Sequence, residues 1–324
     1  MKGKKVLIRA VALALALILC LGVVSVAAFA QETGKVNRLR QGENLSREEG
    51  EREELTFWHQ YSIKRKWVEK IVFQDNLKGM PKNVLDFSEK WDKNDKQVVG
   101  WYKDHVLYVA AEGKITLPKD SSWLFASFTN LEELDFNNSV DTSQVENMSH
   151  MFADCVSLEK LDLSCFDTGA VKTMNAMFYR CKALEELNVG SFQTGNVKNM
   201  CRMFAYCENL EALDVSGFDT SSVTDLSFQF YCCKSLKALD VSGFDTGKCM
   251  YLNAMFYHCE KLETLDVSGF DTSRVLGMCY TFSGCGNLKS VNPEGFDTSR
   301  VLQYKDFMDQ GVLVNGKPWK ELFA

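Results

Sequence analysis

The sequence is poor in histidine and lacks the short motifs that mark common catalytic centres. Its 324 residues contain four histidines, which are scattered along the chain: His59, His105, His150 and His258. It has no H-E-x-x-H metal motif, no G-x-S-x-G nucleophile motif and no phosphate-binding glycine loop. We therefore expect a protein that is not an enzyme and that has no catalytic residue, no metal site and no cofactor.

An excess of basic residues is also missing. The formal net charge is −6, and residues 131–310 contain 26 acidic side chains against 14 basic ones. Proteins that bind nucleic acid present a basic stripe to the phosphates. The charge pattern therefore argues against a nucleic-acid partner.

A long apolar run is missing everywhere after residue 30. Residues 1–30 begin with lysines and an arginine, continue with an apolar stretch over 10–26, and end with Ala28-Phe29-Ala30. This order is typical of a signal peptide with an A-x-A cleavage site. We expect cleavage after Ala30, a secreted or cell-surface location, and no membrane span in the mature chain. An uncleaved anchor is the alternative, because the apolar stretch is nearly long enough to cross a bilayer.

The sequence does contain one unit that returns at a fixed spacing. Phe-Asp-Thr begins at Phe218, Phe244 and Phe270, which are 26 residues apart. A fixed period of about 20–50 residues is the signature of a solenoid. Leu187 and Val189 alternate around Asn188, as in a strand with one buried side. The pattern predicts an α/β repeat fold: a right-handed, leucine-rich-repeat-like parallel solenoid of about seven 26-residue coils.

The rest of the chain divides around these coils. We expect a signal peptide at 1–30, a flexible charged linker at 31–55, an N-terminal cap at 56–123, the solenoid at 124–310 and a C-terminal cap at 311–324. Within the N-terminal cap, Glu112-Gly113 is the predicted turn of a β-hairpin. Within each coil, residues equivalent to 171–181 are predicted to form a short strand and one helical turn around Met177-Phe178, although their spacing also fits a longer helix.

Twelve cysteines in an exported protein would ordinarily suggest disulfides. Six of them instead follow the repeat: Cys155, Cys181, Cys207, Cys233, Cys259 and Cys285. Phe128 fills the same position in the first coil, so we expect an interior site occupied by free thiols. His258 and Cys259 with Cys232 and Cys233 would be the nearest approach to a zinc site, but Cys233 and Cys259 belong to this interior column.

The repeat Leu-x-x-Leu-Asp-Val-Ser-Gly-Phe-Asp-Thr-Ser-x-Val-x-x-Met-x-x-Met-Phe-x-x-Cys resembles that of the BspA-like leucine-rich-repeat surface proteins of bacteria. The lead-in over 101–125 is similar to the segment that precedes the repeats in that family. The resemblance implies an exported, adhesin-like interaction protein whose partners are host or bacterial extracellular proteins or glycans. The alternative is a structural or spacer protein of the cell envelope with no specific ligand. No wall-sorting tail is evident, which leaves the mode of anchoring open.

One column of acidic side chains is the candidate partner-binding surface. It lies between two inward leucine-type positions, and we call it the acidic strip: Asp162, Asn188, Asp214, Asp240 and Asp266. Like charges on neighbouring strands repel, and the flanking residues are small, so the strip should form a smooth acidic surface open to a partner. A solvated face bonded to its own backbone is the alternative.

A second acidic column consists of Asp-Thr pairs, interrupted by Gln193: Asp141, Asp167, Asp219, Asp245, Asp271 and Asp297. Aspartate and threonine side chains take backbone N–H groups at turns. We therefore expect these pairs to shape a corner of each coil. A calcium ladder is the alternative, although Ca²⁺ needs six to eight oxygen ligands.

Overall fold

The computed structural model describes residues 25–27, 37–40, 65–86, 98–292, 296–309, 313–314 and 317–323. The chain divides into two compact units, the first formed by residues 1–158 and 165–170 and the second by 159–164 and 171–324. Most of the predicted signal peptide and linker lies outside the described residues, as do Trp58 and Trp91 of the predicted cap. Among the described residues, no helix has the length and apolar character needed to cross a membrane.

The first unit contains two small sheets. Its strands are β1 (Ser25–Ala27), β2 (Asn37–Arg40), β3 (Lys70–Gln74), β4 (Leu85–Asp86), β5 (Val98–Lys103), β6 (Val106–Ala111), β7 (Ile115–Thr116), β8 (Glu133–Asp135) and β9 (Val140–Asp141). They are ordered β4-β5-β6-β3-β8 in one sheet and β1-β2-β7-β9 in the other. A 3-10 helix, Arg65–Trp67, precedes β3. The buried residues of β3 and β6 supply much of the apolar interior of this unit.

The hairpin of the first unit turns at a different place from the one predicted. Strands β5 and β6 pair antiparallel up to Lys103 and Val106, so the turn is Asp104-His105, whose φ angles are 49° and 65°. Two successive left-handed residues match the right-handed twist of the strands they join. The prediction of a hairpin turn at Glu112-Gly113 is wrong, because β7 pairs parallel with β9 rather than returning along β6.

The second unit pairs its repeats in parallel at the spacing of the sequence period. Strands β10 (Lys160–Asp162) and β11 (Glu186–Asn188) pair with Leu161 opposite Leu187. Later repeats make the same pairing through single-residue bridges: Ala212 with Ala238, Ala238 with Thr264, and Asp266 with Asn292. The unit ends in β12 (Ser290–Val291), β13 (Leu313–Val314), β14 (Lys317–Pro318) and a 3-10 helix, Trp319–Phe323.

Consecutive turns take the place of the predicted helical turn. In the repeat that contains Met177-Phe178, Ala176 and Arg180 have φ angles of 54° and 61°, in the left-handed region. The N–H groups of Ala176, Phe178 and Arg180 donate to the carbonyls of the next repeat at 2.8, 2.9 and 2.8 Å. A helix satisfies its N–H groups within its own segment. Here alternate N–H groups point to the neighbouring repeat, and no helix forms.

The interior of the second unit is built from columns of identical side chains. Its main phenylalanine column is stacked with ring centroids 5.4–5.6 Å apart: Phe178, Phe204, Phe230, Phe256 and Phe282. The column cysteines beside it are buried and free. Cys233 Sγ, for example, donates to the Phe204 carbonyl at 3.2 Å. Burial raises the pKa of the Cys285 thiol to about 12. The prediction of interior thiols is confirmed for these residues.

Candidate interaction surface

The side chains of each strand alternate between the interior and the surface, and the acidic strip lies on the surface side. Leu161 and Leu163 on either side of Asp162 are buried, and Asp162 is exposed. The same arrangement holds around Asp214, Asp240 and Asp266, while Leu187 beside Asn188 is only partly buried. All five residues of the acidic strip are exposed. The structure therefore brings the predicted candidate residues together on one surface of the second unit.

Each aspartate of the acidic strip also closes a tight turn. The Ser216 N–H donates to Asp214 Oδ1 at 3.0 Å, and the Ser216 hydroxyl donates to the same oxygen at 2.7 Å. Asp240 accepts the same two bonds from Ser242, at 3.0 and 2.6 Å. Asp162 additionally accepts a bond at 3.0 Å from the side-chain amide of Asn188, which replaces a like-charge contact with an attractive one.

These bonds keep the carboxylates charged. Hydrogen bonds from the side chain and backbone of Ser216 hold the pKa of Asp214 below its ordinary value of 3.8. Ser242 lowers the pKa of Asp240 in the same way. Three successive repeats therefore each present an ionised carboxylate at neutral pH, the third being Asp266, whose pKa the backbone bond from Ser268 lowers.

In the columns that precede the acidic strip in each repeat, lysine and glutamate side chains of neighbouring repeats form ion pairs. Glu208 accepts bonds from Lys182 at 2.9 Å and from Lys234 at 2.7 Å. Glu211 pairs with Lys237 at 2.6 Å. In the part of the chain that the structure describes, no ion pair is formed by the aspartates of the acidic strip. The strip is thus a source of uncompensated negative charge.

A shallow, open depression lies at one end of the acidic strip. It has a volume of about 630 Å³, and its acidic and amide lining comes from Asp240, Glu263, Asp266 and Asn292. Its shape and charge suit a lysine or arginine side chain of a partner better than an apolar group.

The Asp-Thr pairs shape a turn in their repeats, in agreement with the turn interpretation. Asp219 Oδ1 accepts the Ser221 N–H at 2.9 Å, and the buried Thr220 hydroxyl donates to the Asp245 carbonyl of the next repeat at 2.8 Å. Thr246 and Thr272 make the equivalent bonds at 2.9 Å. Among the described residues no group of three or more side chains is arranged to hold a metal ion.

A second surface of the second unit is assembled from several positions of the repeat and was not predicted from the sequence. We call it the tyrosine face: Tyr179, Tyr206, Phe228, Tyr231, Tyr257 and Tyr280. The five tyrosine rings follow one another at centroid distances of 5.7, 5.1, 5.0 and 5.9 Å. Tyr179, Tyr231 and Tyr257 each follow a phenylalanine of the main column. This shared position was the one feature of the sequence that could have indicated the tyrosine face.

Acid is expected to destabilise the fold through the acidic strip. The folded-state pKa values of Asp214, Asp240 and Asp266 lie below the ordinary 3.8. Stability from such groups is fully present above the unfolded pKa and is lost as pH falls through the folded one. Thermal unfolding midpoints should therefore drop between about pH 5 and about pH 2.

The matched control replaces these three aspartates with asparagine. Asn188 occupies the same repeat position and accepts the Gly190 N–H at 3.3 Å, so asparagine keeps the turn acceptor but does not titrate. The triple variant should lose less stability on acidification than the wild type. An identical acid dependence in both proteins would show that these carboxylates do not contribute.

Comparison with known proteins gives one result. Two overlapping segments, residues 119–238 and 204–319, match the family described as Mycoplasma protein of unknown function, DUF285. Together they span more than half of the chain, including the acidic strip and the tyrosine face. No curated protein and no solved structure matches the chain.

Proposed function

Because the chain belongs to the repeat family described as Mycoplasma protein of unknown function, DUF285, we propose that it is an exported or surface-exposed bacterial interaction protein. In this proposal it is of the BspA-like type, binds a protein or glycan through its repeats, and has no catalytic role. Two features of the sequence support export and the family type: the signal-peptide pattern of residues 1–30 and the resemblance of the repeat.

The proposed architecture is the right-handed, leucine-rich-repeat-like solenoid of about seven coils. Its support is the parallel pairing in the second unit, where bridges join residues one sequence period apart, as in Thr173 with Asn199 and Asn199 with Asp225. Parallel crossovers strongly prefer the right hand. Such a stack offers a rigid surface on which one side chain recurs in every repeat, which suits contacts spread over many units.

One observation carries the proposal of a partner. Asp214, Asp240 and Asp266 recur on successive repeats, are exposed and carry a lowered pKa. A row of ionised carboxylates without basic partners repels itself. A partner that brings lysine or arginine side chains to this row would remove that repulsion.

The test is binding of the purified protein to panels of extracellular matrix proteins, mucosal proteins and glycans. Saturable binding should be found, and Asp214→Lys with Asp240→Lys should weaken it at least about tenfold, which is about 1.4 kcal/mol. The control is Asp271→Lys with Asp297→Lys, which makes the same charge change at two exposed turn aspartates outside the acidic strip. Equal loss in both variants would contradict a role for the strip.

The second candidate is a structural or spacer protein of the cell envelope. The bonds from Ser216 and Ser242 to Asp214 and Asp240 favour it, because they give these carboxylates a role within the fold. An absence of saturable binding across all panels, from a protein shown to be folded, would favour this candidate over the first.

A further inference from the structure

The last repeat of the second unit has an unpaired backbone edge. In the repeat before it, the Leu276 carbonyl accepts the Leu302 N–H at 2.9 Å, and the Met278 N–H donates to the Gln303 carbonyl at 2.7 Å. The equivalent groups of the last repeat are the Leu302 carbonyl and the Tyr304 N–H. Among the described residues, neither group has a hydrogen-bond partner. We call Leu302, Gln303 and Tyr304 the terminal edge.

Apolar side chains are exposed at the terminal edge. Leu302 is 78% exposed and Tyr304 is 41% exposed. In two earlier repeats the position of Leu302 is occupied by Lys172 and Lys198. An unpaired edge is a template for a strand of another chain, and natural proteins commonly protect such an edge with lysine, proline or a covering element. At this position the last repeat has leucine instead.

The terminal 3-10 helix, Trp319–Phe323, covers the interior of the last repeat but does not pair with its edge. The buried Phe307 ring lies 6.0 Å from the Trp319 ring and 5.3 Å from the Phe323 ring. The Tyr304 ring is stacked on the Phe323 ring at 4.4 Å. These contacts hold the Tyr304 side chain in place, and they give its N–H group no acceptor within the described residues.

We propose that the terminal edge pairs antiparallel with the same edge of a second copy of the chain. In an antiparallel pair centred on Gln303, the Tyr304 N–H of each copy donates to the Leu302 carbonyl of the other. The terminal edge is its own complement, because one two-fold axis joins both free donors to both free acceptors. Two-fold dimers are the commonest assemblies of identical chains. The pairing also places Leu302 of each copy beside Tyr304 of the other, which removes apolar surface from water.

The charges that flank the terminal edge fit the same register. Arg300 and Asp306 lie in the turns on either side of it, and both are exposed. Pairing centred on Gln303 sets Arg300 of one copy opposite Asp306 of the other, and the two-fold axis repeats this contact. Within the described residues neither side chain forms an ion pair. Lys305, the cation next to Asp306, has its ammonium 5.7 Å from the centre of the Tyr280 ring. Opposite charges facing each other across an interface fix its register.

The experiment measures the molar mass of the purified full protein over a range of concentrations by sedimentation equilibrium. We expect a reversible equilibrium between monomer and dimer. Leu302→Lys should raise its dissociation constant at least about tenfold, because it removes apolar contact and places like charges close together. The matched control is Met250→Lys, at the same repeat position. Met250 is 40% exposed, but its carbonyl already accepts the Leu276 N–H at 2.9 Å, so this variant should dimerise as the wild type does.

A pair of charge reversals tests the antiparallel register. Arg300→Asp and Asp306→Arg each place like charges opposite one another in their own dimers, so each should weaken dimerisation at least about tenfold. An equimolar mixture of the two variants should recover dimers, because both contacts of the mixed pair again join opposite charges. Arg202 occupies the position of Asp306 in an earlier repeat with a φ angle of 60°, so Asp306→Arg suits the backbone there.

Hydrogen exchange gives a readout that needs no variant. The Tyr304 N–H is bonded only in the proposed dimer, so exchange in the segment 300–306 should slow as the protein concentration is raised. Exchange in the segment 250–256, where N–H groups such as that of Leu252 are bonded within the chain at 2.9 Å, should not change. Unfolding midpoints establish that the variants are folded, and hydrogen exchange decides the outcome if they are not.

Three results would overturn the inference. The first is a protein that stays monomeric at every concentration at which it is soluble. The second is equal weakening by Leu302→Lys and Met250→Lys, and the third is a mixture of the charge reversals that dimerises no better than its components. The proposed function stands apart from these outcomes, because a monomer that binds a matrix protein through the acidic strip would retain the function and lose only this interface.

Discussion

Replacing Phe204 with alanine is expected to lower the free energy of unfolding by about 3–5 kcal/mol. The ring is fully buried and lies 5.6 Å from the rings of both Phe178 and Phe230, with Phe218 at 6.5 Å. The cavity left by its removal cannot close easily, because the Phe204 N–H is held by the Gln229 carbonyl of the next repeat at 3.0 Å. Denaturant unfolding, with the midpoint and slope compared to the wild type, measures the loss.

Tyr251→Ala is the matched control for this substitution. It also removes an aromatic ring from the second unit, but Tyr251 is 38% exposed, so the change should stay within about 0.5 kcal/mol. A loss below about 1 kcal/mol for Phe204→Ala, or equal losses for both variants, would show that the interior phenylalanine column does not contribute strongly to the free energy of unfolding.

The pairing of the repeats was predictable because the side chains that set it are spaced evenly. Because Leu161 and Leu187 occupy the same position of the repeat, stacking them buries Leu161 and partly buries Leu187. A slip by one residue would turn the whole strand over. The structure has this register. The outward direction of Asp162 follows from the same alternation, and so the acidic strip was found from the sequence.

The backbone of the turns was not predictable in the same way. Apolar residues three apart, as at Met174 and Met177, fit a helix as well as a stack of turns. Hydrogen bonds to the next repeat decide between them, and those are contacts between residues far apart in sequence. Ala176 and Arg180 adopt left-handed angles although neither residue type favours that region. The hairpin turn was predicted at the wrong place for a related reason. Asp104-His105 adopts left-handed angles without a glycine, whereas Glu112-Gly113 contains the glycine that usually marks a turn.

The tyrosine face escaped detection for a different reason. Its residues come from several positions of the repeat. They therefore do not line up at one repeat position in the sequence, as the residues of the acidic strip do. Tyr206 and Tyr231 meet only because successive turns stack with centroids 5.1 Å apart. A surface assembled from different columns needs the register and the turn geometry together.

One residue breaks its column in a way that predicts a gain of stability. Gln229 stands where other repeats of the second unit have Met177, Met203 and Met255, and it is fully buried. Neither its amide nitrogen nor its amide oxygen has a hydrogen-bond partner in the described part of the chain. A buried polar group without a partner is destabilising by about 1–3 kcal/mol.

Gln229→Met is therefore expected to raise the free energy of unfolding by about 1–3 kcal/mol, because it removes the unpaired amide and restores the side chain that neighbouring repeats accommodate. Thr281 provides the control in the same column. The buried Thr281 hydroxyl donates to the Met278 carbonyl at 2.7 Å. Thr281→Val removes this bond and should lower the free energy of unfolding by about 0.5–1.5 kcal/mol. Denaturant unfolding of both variants should show opposite signs. A Gln229→Met protein no more stable than the wild type would mean that the amide is satisfied in solution and that this break in the methionine column carries no cost.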